Sequence, residues 1–362
     1  MGRQNQQTNK KIHSSSKNLR EMTAYCDILA AWVQKPPIRT DDIVLDDKTL
    51  MSFAARTKTL GLLSRALKAH GLEIRPKLAS HLAIQAHKIE ANNYKNLTDT
   101  LAVCKCLKEK QVDHVVFKGP IQSSRVYNVW NARAALDIDI LVEPEHYLAA
   151  KQTLSNNEYD LLIDDSSKWW EKHLGEAPFQ RQSPRSKVID LHHQIQQPGG
   201  PYPRNLKSYL EGSVERSFGR FSVQTMSPSN ALMISAISYG KSLRAGTAWL
   251  HHAHEIIVTH AHADKQERIE FFENAKKDGL FNLYKEALEN SQIVFGLIEE
   301  NHQRSRRAEL VRLAFGQKAH HRFFRTGKLW DWTDGPPKTK IPAFLFGLWR
   351  VFRSEIARLG EK

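Results

Sequence analysis

Residues 114–142 read HVVFKGPIQSSRVYNVWNARAALDIDILV, and the way this stretch folds decides the architecture. Val115-Val116-Phe117 is a short β-branched and aromatic run, which predicts a strand. Gly119-Pro120 punctuates it and opens a helix through Tyr127. Leu136–Val142 (LDIDILV) alternates and then turns fully apolar, which predicts a second strand ended by Glu143-Pro144. Side chains i and i+2 share a strand face, so Asp137 and Asp139 lie together, with Cα atoms roughly 6–7 Å apart. Leu136, Ile138 and Ile140 face the other way, into a core.

The pattern continues on both sides. Helix-like sequence over Glu145–Leu154 precedes a third expected strand, Tyr159–Ile163, and a fourth, Lys187–His192 (KVIDLH). Strands alternating with helices imply an α+β chain whose mixed, α/β-type sheet is covered by helices. Leu19–Gln111 shows apolar residues at three- and four-residue spacing, as at Leu60, Leu63 and Leu67, and helical spacing returns from Pro228 to about residue 315. The expected division is a basic disordered arm over 1–18, a helical region over 19–110, a sheet core over 111–227, and a helical region with a basic, aromatic tail over 228–362.

Two carboxylates on one face of an apolar strand are costly unless something compensates them. A divalent cation does so, and Mg²⁺ favours carboxylates together with phosphate oxygens. Asp190, inside the apolar run Val188–His192, is a third candidate; were its strand beside the first, three acids would converge as in a two-metal site. The ordinary alternative is a strand end with two solvated aspartates. The surroundings favour the ligand site. Gly119 lets backbone approach a ligand closely, and a helix N-terminus offers free N–H groups to phosphate. Pro120 fits the first helical turn, and Lys118 and Arg133 can oppose phosphate charge. His192 shares a strand face with Asp190, which suits an orienting or substrate-contacting role.

Residues 111–195, with FKGPIQSSRVYNVWNARAALDIDILVEPEHYLAAKQTL and later VIDLHHQI, resemble the uncharacterised bacterial nucleotidyltransferases of the polymerase-beta-like superfamily. The match consists of Lys118-Gly119, Arg133, Asp137-Ile138-Asp139, Leu141-Val142 and Asp190-Leu191-His192, in that order. The resemblance implies a polymerase-beta-like core between helical flanks. It also implies metal-dependent transfer of a nucleoside monophosphate from an NTP such as ATP to a hydroxyl-bearing acceptor. On that pattern Asp137, Asp139 and Asp190 are the catalytic, metal-holding residues for Mg²⁺ or Mn²⁺, and Lys118, Gly119 and Arg133 bind the nucleotide. The wider superfamily has Gly-Ser where this chain has Gly119-Pro120. The alternative from a different class is an inactive protein of the same fold that binds RNA or a membrane surface.

The 362 residues are 41% hydrophobic and 25% charged, which argues against wholesale disorder and a polytopic membrane protein. The net charge is +14, and its excess sits at the ends, because residues 21–300 carry as many acids as bases. That favours an anionic acceptor, RNA or a phosphorylated molecule, and less strongly peripheral membrane contact. Three irregularly spaced cysteines fit a reduced, cytoplasmic setting. There is no P-loop, G-x-G-x-x-G, H-E-x-x-H or G-x-S-x-G motif. His251, His254 and Glu255 share a face at helical spacing, a pattern that can chelate zinc or copper but more often lies at a surface. His173 follows Trp169-Trp170 and is a further pocket candidate. The tail interleaves cations and aromatics from Arg304 to Trp332, which suits packing on the helices or contact with single-stranded nucleic acid. Residues 341–352 (IPAFLFGLWRVF) are too short to span a bilayer but suit an interface.

Overall fold

The structure, a computed structural model, describes residues 17–34, 45–69, 74–163, 171, 175–183, 186–195, 202–218, 221–298 and 304–316, together with Trp332, Phe352 and Ile356. Four helices come first: α1 (17–30), α2 (Asp47–Arg56), α3 (Leu60–Ala69) and α4 (Pro76–Glu109). The alternating stretch then gives β1 (His114–Phe117), α5 (Gly119–Tyr127), β2 (Asp137–Val142), α6 (Tyr147–Asn156), β3 (Tyr159–Leu161), β4 (Glu176–Arg181) and β5 (Val188–His192). A short helix α7 (Lys207–Glu211) leads into the hairpin of β6 (Val214–Phe218) and β7 (Phe221–Thr225). The chain continues through α8 (Pro228–Ala245), α9 (Leu250–His262), α10 (Lys265–Lys277), α11 (Phe281–Val294) and α12 (Arg304–Ala314).

One mixed sheet carries all seven strands in the order β3-β4-β5-β2-β1-β7-β6. β2 is central, antiparallel to β1 and parallel to β5. The fold is α+β, as expected. Strand alternation splits the core in two. Val116, Ile138, Ile140, Ile189 and Leu191 pack beneath α4 and α6 with Val103, Leu107 and Leu154. Val115, Phe117 and Leu141 face the helices on the other side. The helices before and after the sheet share that second core. Tyr25 of α1, Phe53 of α2 and Phe315 after α12 meet edge-on, with ring centroids 4.6 Å apart for Phe53–Phe315.

Three strands were not expected, β4, β6 and β7. β4 carries Pro178, which lacks an amide donor and is uncommon inside a sheet. Polar residues predominate in β6, which is an edge strand and needs little apolar surface. The third strand ends at Leu161 rather than Ile163. The helix expected from Glu145 starts at Tyr147, after a 3₁₀ turn at Pro144–His146, and runs on to Asn156. The arm expected over 1–18 lies outside the described residues up to 16, and residues 17 and 18 already belong to α1. Of the basic, aromatic tail, Arg306 pairs with Glu289, Arg307 pairs with Asp27, and Trp332 is buried with Nε1 donating to Glu286. These residues pack on the helices; most of the rest of the tail, including nearly all of 341–352, lies outside the described residues, as does His173. Among the described residues no helix is long and apolar enough to cross a membrane.

Candidate active site

Strand register builds the site. Asp139 of β2 sits beside Phe117 of β1 on one side and Asp190 of β5 on the other. Glu176 of β4 sits opposite His192 of β5. With period-two alternation, Asp137, Asp139, Asp190, His192 and Glu176 project from one sheet face. Asp139 and His192 are buried, while Asp137 is open to solvent.

The charges are compensated from close by. Lys118 Nζ lies 2.6 Å from Asp139 Oδ1 and 4.9 Å over the Phe117 ring. His192 Nε2 lies 3.2 Å from the same oxygen. Its Nδ1 is 3.2 Å from Glu176 Oε2 but lacks hydrogen-bond alignment, so that atom is buried without a partner. Burial would push the Asp139 carboxyl up, but Lys118 and His192 outweigh it and hold the group well below the usual carboxylate range. Asp190 has no such lysine. Burial pushes it up to about 7, with Asp139, Glu176 and Asp137 adding to the rise and His192 opposing it. Burial, then Asp139, also raises Asp137.

Lys118 reaches Asp139 from an unusual backbone. Its φ of 65° and ψ of −157° fall in a region that is essentially glycine-only, and residues held there cost about 1–3 kcal/mol. Gly119 follows at φ 57°, which glycine adopts freely, and begins α5. Three asparagines of α4 hold the loop that leads into β2. Asn93 donates to the carbonyls of Trp130 and Arg133 and accepts from the Ala135 amide. Asn92 donates to the Ala135 carbonyl, and Asn96 donates to that of Asp137 at 2.6 Å. Their backbone partners fix where Asp137 enters the strand. Buried asparagines on a helix were the available signal, and sequence reading missed it, as it missed Glu176.

A cleft of about 710 Å³ opens over this end of the sheet, between α2–α4 and α8–α9. Lys118, Gly119, Arg133, Asp137 and Asp139 line it, and so does Lys241 of α8. Asp190 and His192 do not; they flank Asp139 on the β5 side. Arg133 Nη1 is 2.5 Å from Oε1 of the buried Glu255, which also accepts from Ser235. The sequence placed Arg133 near phosphate; the structure places its head at the cleft wall, tied to α9. The His251, His254 and Glu255 face, read as more often lying at a surface, is buried instead, and among the described residues it does not group as metal ligands. His254 is wholly buried, with Nε2 donating to the Leu29 carbonyl and Nδ1 accepting from Tyr127, and Glu255 is taken up by Arg133.

One ligand atom each from Asp139, Asp190 and His192 lies within 4.8 Å of the others, and Asp137 stands outside this group. The donor set fits a divalent cation. Burial raises the Asp190 carboxyl, its acidic neighbours add to the rise, and a cation beside it would offset both. Carboxylates beside a cation-lined cleft at a helix N-terminus are surroundings that suit a divalent cation and phosphate oxygens. The sequence profile of the uncharacterised nucleotidyltransferase family matches residues 44–296. The chain belongs to that family, and the matched span runs from α2 to the end of α11, taking in both walls of the cleft. Among solved structures it is similar to an antigenic nucleotidyltransferase-like protein from Paracoccidioides brasiliensis, at 14% identity and a TM-score of 0.36, over 60% of this chain and 92% of that one. No curated protein gives a significant match.

Proposed function

We propose that this protein is a metal-dependent nucleotidyltransferase that transfers a nucleoside monophosphate from an NTP to an acceptor hydroxyl. The observation that carries the proposal is the meeting of Asp139 with Asp190 and His192 at the edge of a cleft lined by Lys118, Arg133 and Lys241. Asp139, Asp190 and His192 would hold the cation, Mg²⁺ or Mn²⁺, with Asp137 at the cleft mouth. When bound, such a cation polarises phosphate oxygens and stabilises the charge on the leaving pyrophosphate. The protein's own groups do the rest. Lys118, Arg133, Lys241 and the start of α5 at Gly119 orient the triphosphate. The acceptor oxygen bonds to the α-phosphorus as the bond to the bridging oxygen breaks. Asp190 would take up the proton that the hydroxyl releases.

The test is label transfer from α-labelled NTPs, with Mn²⁺ and a cell extract as the source of acceptor. Asp139→Asn and Asp190→Asn should each abolish it while the protein stays folded. Transfer that survives both substitutions would remove this site from the chemistry. A second reading, a nucleotide-binding module without transferase activity, draws on the Lys118–Asp139 ion pair and on the absence of Asp190 from the cleft wall. It predicts NTP binding that Lys118→Met weakens, with no label transfer to any acceptor.

A further inference from the structure

The cleft carries more positive charge than its aspartates require. Lys118 is paired with Asp139 and Arg133 with Glu255. Lys58, just past α2, Lys88 of α4 and Lys241 of α8 also line it, and none has an acidic partner within 4 Å among the described residues. Unpaired cations gathered in one concave space repel one another, and an anion relieves that repulsion.

These lysines stand on different walls of the cleft: Lys58 and Lys88 on the side of α2 and α4, Lys241 on α8. Lys241 stands at the carboxylate end, where the charges acting on it are those of Lys118, Glu176, Asp139 and Asp190. His251 and His252 are two buried rings of the cleft wall with centroids 3.9 Å apart; Lys58 and Arg133 act on both, and Lys118 and Lys241 act on His252 as well. In both rings Nδ1 is enclosed without a hydrogen-bond partner, that of His252 lying 3.7 Å from Glu255 Oε2. Burial, then nearby positive charge, pushes both imidazoles well below 6.5. Each is therefore a neutral hydrogen-bonding group set among lysines.

Lys58 adds an independent observation. It occupies the position just past the end of α2 with φ 58°, where its amide bonds to the Ala55 carbonyl and the Thr59 amide to that of Ala54. This is a Schellman ending, and glycine is the residue that takes its left-handed position without strain. A lysine there is held in an unfavourable backbone while its side chain lines the cleft. Lys88, one turn before Asn92 on α4, faces the same space.

Resting on the transferase reading, we propose that Lys58, Lys88 and the His251–His252 pair form a second anion subsite, and that the acceptor is a phosphorylated small molecule whose phosphate sits there. The triphosphate keeps the other end, with Lys118, Arg133, Lys241 and the start of α5. A cleft of about 710 Å³ is on the scale of small-ligand pockets.

The experiment uses the full chain with Mg²⁺ and a saturating ATP analogue that has a non-cleavable α,β-methylene link. Inorganic phosphate is then titrated by calorimetry, in wild type and in Lys58→Ala/Lys88→Ala. Both lysines are exposed, and an unchanged thermal midpoint verifies folding. Phosphate should bind the analogue-loaded wild type, and the double variant should weaken it by roughly tenfold per lysine lost. Analogue affinity should change less than about twofold. Phosphate that competes with the analogue, or a double variant that weakens the analogue as much as it weakens phosphate, would assign these lysines to the triphosphate and overturn the proposal. An RNA decamer that displaces phosphate through the same lysines would overturn it in favour of a nucleic-acid acceptor. Phosphate binding without any analogue binding would instead sink the transferase reading and leave the subsite standing.

Discussion

Asp190→Asn should make the protein more stable when a chelator is present, and the gain should grow with pH. In the folded chain this carboxyl is raised from 3.8 to about 7. Between those two values the folded state holds a proton that the unfolded state has lost. Stability then falls as pH rises, and the cost is complete above about pH 7. At about 1.4 kcal/mol per unit, a little over three units give a ceiling of about 4 kcal/mol. Water reaches part of Asp190 and its neighbours share the titration, so about 2 kcal/mol is the expected effect. The wild-type profile alone cannot show this. His251, His252 and His254 are all lowered by burial, and they contribute in the opposite direction, losing stability as pH falls below about 6.5. Those histidines are common to both proteins and cancel in the difference. The assay is urea unfolding of both proteins at about pH 4.5 and about pH 8, reading the midpoint at constant m. A variant advantage that is absent at pH 8, or no larger there than at pH 4.5, refutes the account of Asp190 as an uncompensated carboxylate.

Lys118→Met should cost about 2–3 kcal/mol in chelator, because it leaves buried Asp139 with only His192, and titrated Mg²⁺ should restore part of the loss in a thermal scan. Glu255→Gln should destabilise by about 2–4 kcal/mol by leaving Arg133 without its anion, a loss that urea unfolding reads directly. Gly61→Ala should cost about 1–3 kcal/mol, because the new Cβ would lie 2.3 Å from the Ala132 carbonyl oxygen, and neither α3 nor that loop can move without disturbing the other; a lowered urea midpoint at unchanged m checks it.

The central part of the site was legible because it depends on period two within single strands. Asp137-Ile138-Asp139 and Asp190-Leu191-His192 each put their polar members on one face, and the apolar members fixed which face that was. That β5 lies directly beside β2 was beyond reach, since sequence order does not give sheet order. The resemblance implied only that Asp190 completes the site; the register places Asp139 beside Asp190. Glu176 stayed hidden because Pro178 disguises its strand. Asn92, Asn93 and Asn96 stayed hidden because a helix pattern shows which residues are polar but not which loop they will strap. The His251–Glu255 run misled for a related reason. Spacing gathered the side chains on one face of α9, but that face packs into the core, where His254 meets Leu29 and Glu255 meets Arg133.

Lys118 joins these levels of description. A glycine in its place would relax the backbone, yet it would leave Asp139 buried with a neighbouring acid and no full counter-charge. The strain of about 1–3 kcal/mol at φ 65° is comparable to what one charge-assisted hydrogen bond returns. The exchange is close to neutral for stability, so stability alone does not require a lysine at this turn. What the lysine adds is position. Its ammonium sits on the carboxylate at the cleft wall, one residue before the glycine that opens α5, where an incoming phosphate and the Asp139 oxygen would compete for it. On the proposed nucleotidyltransferase reading, a lysine already oriented by Asp139 would meet an incoming phosphate with little reorganisation, as preorganised electrostatic stabilisation requires.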